Sequence, residues 1–154
     1  MFRAIAAVGL LVALAAPSGA QTPETDIRPS AEQLNKKQIL ETFSTGTFDG
    51  AYNFGRDGKA QSFYLETHKS DGTVSYTEDG ETMPGRWFAR GTSLCFTYPD
   101  ARMSGGCFRV YQVKNCYYFY TTSIPQREDE LARDYWVARS VPEGEVPRCV
   151  AAIS

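Results

Sequence analysis

His68 is the single histidine of the 154-residue chain. A catalytic histidine works with a nucleophile or carboxylate that the fold brings to it. No G-x-S-x-G elbow supplies a serine nucleophile. His68 ends an alternating segment just before a turn, so it is expected to be an exposed structural residue. The four cysteines, Cys95, Cys107, Cys116 and Cys149, contain no C-x-x-C pair, which argues against a zinc site and against a low-pKa redox pair. Asp57, Asp71 and Asp79 are each followed by glycine. Calcium needs several acids at alternating positions of one loop. These acids sit in three separate turns, where Asp-Gly serves the backbone. Arg127 to Glu130 reads as a solvated loop rather than as part of a glycosidase-like carboxylate pair. No catalytic residue, metal ligand or cofactor is assigned, and a non-enzymatic protein is expected.

The residue types that remain are those of binding. Tyr111, Tyr117, Tyr118 and Tyr120 crowd one hairpin beside Arg109. With Tyr111, Tyr118 and Tyr120 outward they form an amphipathic patch of the kind favoured at partner surfaces; the alternative is cross-strand packing beneath the N-terminal helix or the C-terminal tail. Phe48, Tyr52, Phe54, Phe63, Leu65 and Trp87 are the candidates to line a cavity for a small apolar ligand. In a solid barrel the same side chains fill the interior, which is the expected case. A third candidate is the loop Pro99 to Gly106, whose Arg102 and Met103 would be the inserting tip of an enzyme inhibitor.

The elements that must position these residues follow from period and punctuation. "MFRAIAAVGLLVALAAPSGA", residues 1–20, has an early cation, an apolar run too short to span a membrane, and small residues at −3 and −1 of a cut before Gln21. It reads as a secretory signal peptide. Removing it takes Arg3 and no acid from a chain with 16 Lys and Arg against 18 Asp and Glu, leaving 15 against 18. That balance, with scattered cations, gives no reason to expect nucleic acid or an anionic membrane surface as partner. Residues 21–30 read as a flexible lead and 31–154 as a single domain. A short helix is expected next, capped by Ser30 with Gln33, edged by Leu34, Ile39, Leu40 and Phe43, and stopped near Gly46.

From Thr47 the period becomes two. Phe48, Gly50, Tyr52 and Phe54 share a face; Phe63, Leu65 and Thr67 alternate with Tyr64, Glu66 and His68. Asp-Gly turns punctuate the segments. Eight short strands at regular intervals predict an all-β antiparallel meander, a small barrel or strongly curved sheet, with one short N-terminal helix.

Register places the cysteines. Setting Cys95 opposite Cys107 puts Leu94 opposite Phe108, apolar against apolar. A two-residue turn at Lys114-Asn115 then sets Val110 opposite Phe119 and Tyr111 opposite Tyr118. Directly opposed positions lie within disulfide reach, so Cys95–Cys107 is expected, leaving Cys116–Cys149 to tie the tail to the sheet. Two disulfides in a chain with an export signal place it in an oxidising compartment.

Gly85 to Trp87 is similar to the G-x-W of lipocalins, but stands mid-chain rather than on a first strand, so Trp87 is read as a core or rim plug. The run "YLETHKSDGTVSYTEDGETMPGRWFARGTSLCFTYPD" with "GGCFRVY" resembles a set of small exported β-domain proteins of Gram-negative bacteria. Their outline is an aromatic strand, a DGT turn, G-x-W, "LCF" and a "C-F-x-V-Y" strand, here over about residues 43–121. Those proteins are mostly of uncharacterised function. The resemblance implies a periplasmic home, a shared scaffold and the Cys95–Cys107 pair, and carries over no catalytic residue. The expectation is thus a periplasmic or secreted protein that binds a small apolar ligand or a protein of the cell envelope. The alternative is an inhibitor of an envelope enzyme such as a protease or lysozyme.

Overall fold

The computed structural model describes residues 26–53, 62–100, 103, 105–122 and 136–149. The expected signal segment, Phe54, the Asp57-Gly58 turn, Arg102 and the 127–130 loop lie outside the described residues. The elements are β1 (Glu32–Gln33), α1 (Lys36–Phe43), β2 (Gly46–Tyr52), β3 (Phe63–His68), β4 (Thr73–Glu78), β5 (Glu81–Arg90), β6 (Ser93–Thr97), β7 (Gly106–Val113), β8 (Cys116–Thr121) and β9 (Ala138–Pro142). From β2 to β9 each strand pairs antiparallel with its successor, and β9 returns to β2, with Phe48 opposite Pro142 and Gly50 opposite Ser140. Eight strands therefore close an up-and-down barrel. Closure removes the unpaired edges of a meander. The short β1, which alternation did not announce, pairs with the far end of β7 through Gln33 and Tyr111.

The helix starts later than its sequence cue. Glu32 and Gln33 are extended in β1, so Ser30 cannot cap a helix there. The capping box is Asn35 with Gln38: Asn35 Oδ1 accepts from the Gln38 N–H at 3.1 Å, and Gln38 Oε1 accepts from the Asn35 N–H at 2.9 Å. Helix α1 plugs the tight-turn end of the barrel. Leu34, Ile39 and Phe43 are fully buried, and the Phe43 ring lies 5.0 Å from Phe48 and 5.3 Å from Tyr117.

Inward positions build the main core: Phe48, Tyr64, Val74, Tyr76, Trp87, Leu94, Phe96, Val110, Tyr117 and Phe119. A second cluster lies on the outer wall of β7–β8–β9, where Ile27 and Trp136 cover Tyr118 and Tyr120. Strand β8 is therefore buried on both faces, which fits its unbroken aromatic run. Residues 26–30, expected within a flexible lead, are held in this cluster. The Ile27 N–H donates to Tyr120 Oη at 3.2 Å, and Tyr120 Oη donates to Asp26 Oδ1 at 3.0 Å.

Both disulfides form as expected, Cys95–Cys107 and Cys116–Cys149. The register also holds, with Leu94 opposite Phe108, Val110 opposite Phe119 and Tyr111 opposite Tyr118. Two disulfides suit an oxidising environment. Among the described residues no helix is long and apolar enough to cross a membrane.

Candidate functional site

The two ends of the barrel differ. The end with α1 carries tight turns, such as Lys69–Gly72, and is sealed by Trp87, whose indole N–H donates to the Lys69 carbonyl at 2.9 Å. The other end carries the longer connections β2–β3, β6–β7 and β8–β9. Beneath it the interior is aromatic, with polar tips.

Strand β3 sets this character, because it sits in the barrel with the face opposite to the expected one inward. Phe63 is 63% exposed, whereas Tyr64, Glu66 and His68 are buried. Two features make the inversion favourable. Tyr64 faces Gly50, and a Cβ at Gly50 would lie 2.0 Å from the Tyr64 ring, so the missing side chain is the space the ring occupies. The polar groups are also paired. His68 Nδ1 donates to the Phe43 carbonyl at 3.1 Å, Nε2 lies 3.0 Å from Glu66 Oε2, and Tyr98 Oη donates to Glu66 Oε1 at 2.8 Å. A hydrogen must lie between Nε2 and Oε2 for both ring nitrogens to be satisfied. The chain of bonds runs from the helix plug through the core to Tyr98.

A second network lies beside it. Tyr76 Oη donates to Glu78 Oε2 at 2.7 Å and is 2.9 Å from Tyr52 Oη, which is then the donor of that pair. The rings follow one another around the wall: Tyr52 to Tyr64 at 5.1 Å, Tyr64 to Tyr76 at 5.4 Å, and Tyr76 to Tyr98 at 6.0 Å. Gly85 gives the Tyr98 ring the same clearance that Gly50 gives Tyr64.

Two hydroxyls in this region stand apart. Tyr64 is 8% exposed, and its hydroxyl makes no hydrogen bond among the described residues. Ser140 Oγ is sealed from solvent and has no partner either. Both flank Gly50, Tyr64 on β3 and Ser140 on β9, and the Tyr64 ring lies across the glycine between them.

The tyrosines here are hydrogen-bonding groups, not bases. Burial, then the Glu66 charge, drives the Tyr64 hydroxyl well above its ordinary range. Tyr98 is raised by burial and by Glu66, and Tyr76 by burial, Tyr52 and Glu78. Each stays protonated at any physiological pH. Such a wall offers aromatic contact and directed hydrogen bonds. Among the described residues no group of three or more His, Cys, Asp or Glu is placed to hold a metal ion.

The candidates from the sequence are dispersed. Phe48 and Trp87 are in the core, and Tyr52 is half-buried at the long-loop end. Phe63 is exposed and Leu65 shares its outward face, so neither lines the interior. His68, expected at the surface, is 2% exposed, because α1 covers it and Phe43 accepts its bond. Tyr118 and Tyr120 do face out of the barrel, but the second cluster covers them, so they form no open patch. Tyr111 is half-buried and donates to Gln33 Oε1 at 3.1 Å. Met103 packs on the main core, and Arg109 is exposed. Sequence reasoning missed Tyr64, Glu66, Tyr76, Tyr98 and Ser140. The available signal was the pairing of strand glycines with tyrosines, since a glycine inside a strand marks close approach. Neither a family model, nor a curated protein, nor a solved structure matches the chain.

Proposed function

We propose that the chain is an exported, non-enzymatic binding protein that takes a small ligand into the long-loop end of its barrel. The ligand has an apolar or aromatic body and at least one hydroxyl, amine or carbonyl. One observation carries this reading: among the described residues Ser140 Oγ is sealed from solvent without a partner, and the hydroxyl of the 8% exposed Tyr64 makes no hydrogen bond, beside a wall where Tyr52, Tyr76, Tyr98 and Glu66 are paired. A buried polar group without a partner costs about 1–3 kcal/mol, so a polar visitor that bonds to both offsets that cost. The two disulfides support residence in the periplasm or outside the cell.

The test is native mass spectrometry of residues 21–154 purified oxidised from a periplasm. The expected spectrum carries a discrete excess mass that denaturation releases. Tyr64→Phe with Ser140→Ala is expected to fold, since it removes only unbonded hydroxyls, and to lose that mass. A bare wild-type mass, four hydrogens below the reduced chain, overturns the small-ligand reading and leaves the hydroxyls to water.

A further inference from the structure

The outer face of β5–β6–β7 carries a feature that the barrel interior does not use. Register sets Arg90, Ser93 and Arg109 in one row across the three strands, and Phe88, Cys95 and Cys107 in the next. The inward alternates, Ala89, Leu94 and Val110, belong to or pack on the core, so these rows face outward. Arg90 and Arg109 are exposed and form no salt bridge among the described residues. Adjacent strands lie about 4.8 Å apart, so the two arginines flank Ser93 at about twice that spacing. Phe88 is 43% exposed. An open groove of about 410 Å³ runs past it, lined by Phe88, Arg90, Thr97, Gly105, Gly106 and the Cys95–Cys107 bridge.

Charge decides what this face fits. The chain as a whole is net negative, yet the only acid on these three strands is Glu81, at the far end of β5 from Arg90. Two exposed guanidiniums over a hydroxyl make a fork for a carboxylate, and the groove beside them takes an apolar side chain. Membrane recognition of the polybasic kind uses about four to eight cations, twice or more what is free here. We propose that this face docks an acidic segment of another exported protein, with an aspartate or glutamate on Arg90 and Arg109 and the neighbouring apolar residue against Phe88 and the disulfide. The proposal does not depend on ligand binding inside the barrel.

The probe is an acetylated hexapeptide alternating glutamate and phenylalanine, with the lysine–phenylalanine peptide and phosphatidylglycerol vesicles as comparisons. Anisotropy is read on the oxidised chain, with amide NMR to locate the contact. The expected result is binding of the glutamate peptide alone, weakening with salt, with shifts at Ser93, Gly105 and Gly106. Arg90→Glu with Arg109→Glu is expected to weaken it at least tenfold at unchanged Tm, and Phe88→Ser to weaken it independently. Should the charge reversal disturb folding, Arg90→Gln with Arg109→Gln replaces it, with the same expectation. Equal binding by the variants, shifts elsewhere, binding to the vesicles alone, or no binding to any probe each overturns the proposal.

Discussion

At the scale of single residues, the interior of this barrel is governed by two kinds of fit, steric and polar. Gly50 and Gly85 are empty positions that tyrosine rings occupy. Gly50→Ala is expected to destabilise the fold by about 1–3 kcal/mol through overpacking, measured by urea unfolding. Adding Tyr64→Leu, which vacates the ring's space, is expected to restore part of the loss. The polar fit is tested at Glu66. In Glu66→Gln the amide N–H can donate to His68 Nε2 while its oxygen still accepts from Tyr98, so the variant is expected to stay close to wild type. His68→Leu instead leaves a buried carboxylate with Tyr98 as its remaining hydrogen-bond donor among the described residues. Removing one partner of a buried pair costs about 3–5 kcal/mol, and the two variants are compared by the same denaturant midpoints.

At the scale of elements, the ends of the chain are tied down by different means. The C-terminal segment is held by Cys116–Cys149 and by Asn115, whose Nδ2 donates to Glu145 Oε2 at 2.9 Å and to the Val146 carbonyl at 3.0 Å. The bridges close sequence separations of 12 and 33 residues. The loop-entropy relation assigns them about 3 and about 4 kcal/mol. Cys95→Ser with Cys107→Ser is therefore expected to lower stability slightly less than Cys116→Ser with Cys149→Ser, read from equilibrium unfolding of the two double variants. The N-terminal strap is held by charge. Burial pushes Asp26 upward, but bonds from Arg28 and Tyr120 outweigh it and keep the carboxyl below its ordinary value of 3.8. A depressed folded value means that the strap's contribution is fully present above that ordinary value and is lost as pH falls through the lower folded one. The Ile27 amide shift should follow that loss. Asp26→Asn is expected to be less stable than wild type at neutral pH and to converge with it in acid.

At the scale of the molecule, closure is the governing fact. The barrel is complete only when β9 meets β2, in contacts such as Phe48 with Pro142 that span most of the described chain. Non-local pairing of this kind slows folding to about milliseconds to seconds for two-state domains. Stopped-flow refolding of the oxidised protein is expected in that range, and a microsecond phase carrying the full amplitude would contradict it. Closure also sorts the connections between the two ends. In an even-numbered meander α1 and the β3–β4, β5–β6 and β7–β8 turns fall at one end, while the longer β2–β3, β6–β7 and β8–β9 connections fall at the other together with the tight β4–β5 turn.

The sequence by itself determined the eight strands of the barrel, their antiparallel order, the turn at Lys114-Asn115 and both disulfides, but not the short β1. These rest on local alternation, on turn residues and on the rule that opposed positions must match, all of which act between neighbours in the meander. It did not determine which face of β3 points inward. Phe63 and Leu65 are the more apolar set, and isolated alternation assigns them to the core. Gly50 under the Tyr64 ring is a contact between successive strands, but Phe43 over His68 and Tyr98 beside Glu66 join elements 25 and 32 residues apart, which only the closed barrel brings together. The same holds for Tyr118 and Tyr120. Their outward direction follows from period two, but their cover comes from Ile27, ahead of β1, and from Trp136, just ahead of β9. Burial of a polar or aromatic face depends on partners that tertiary structure delivers, and alternation along one strand carries no record of them.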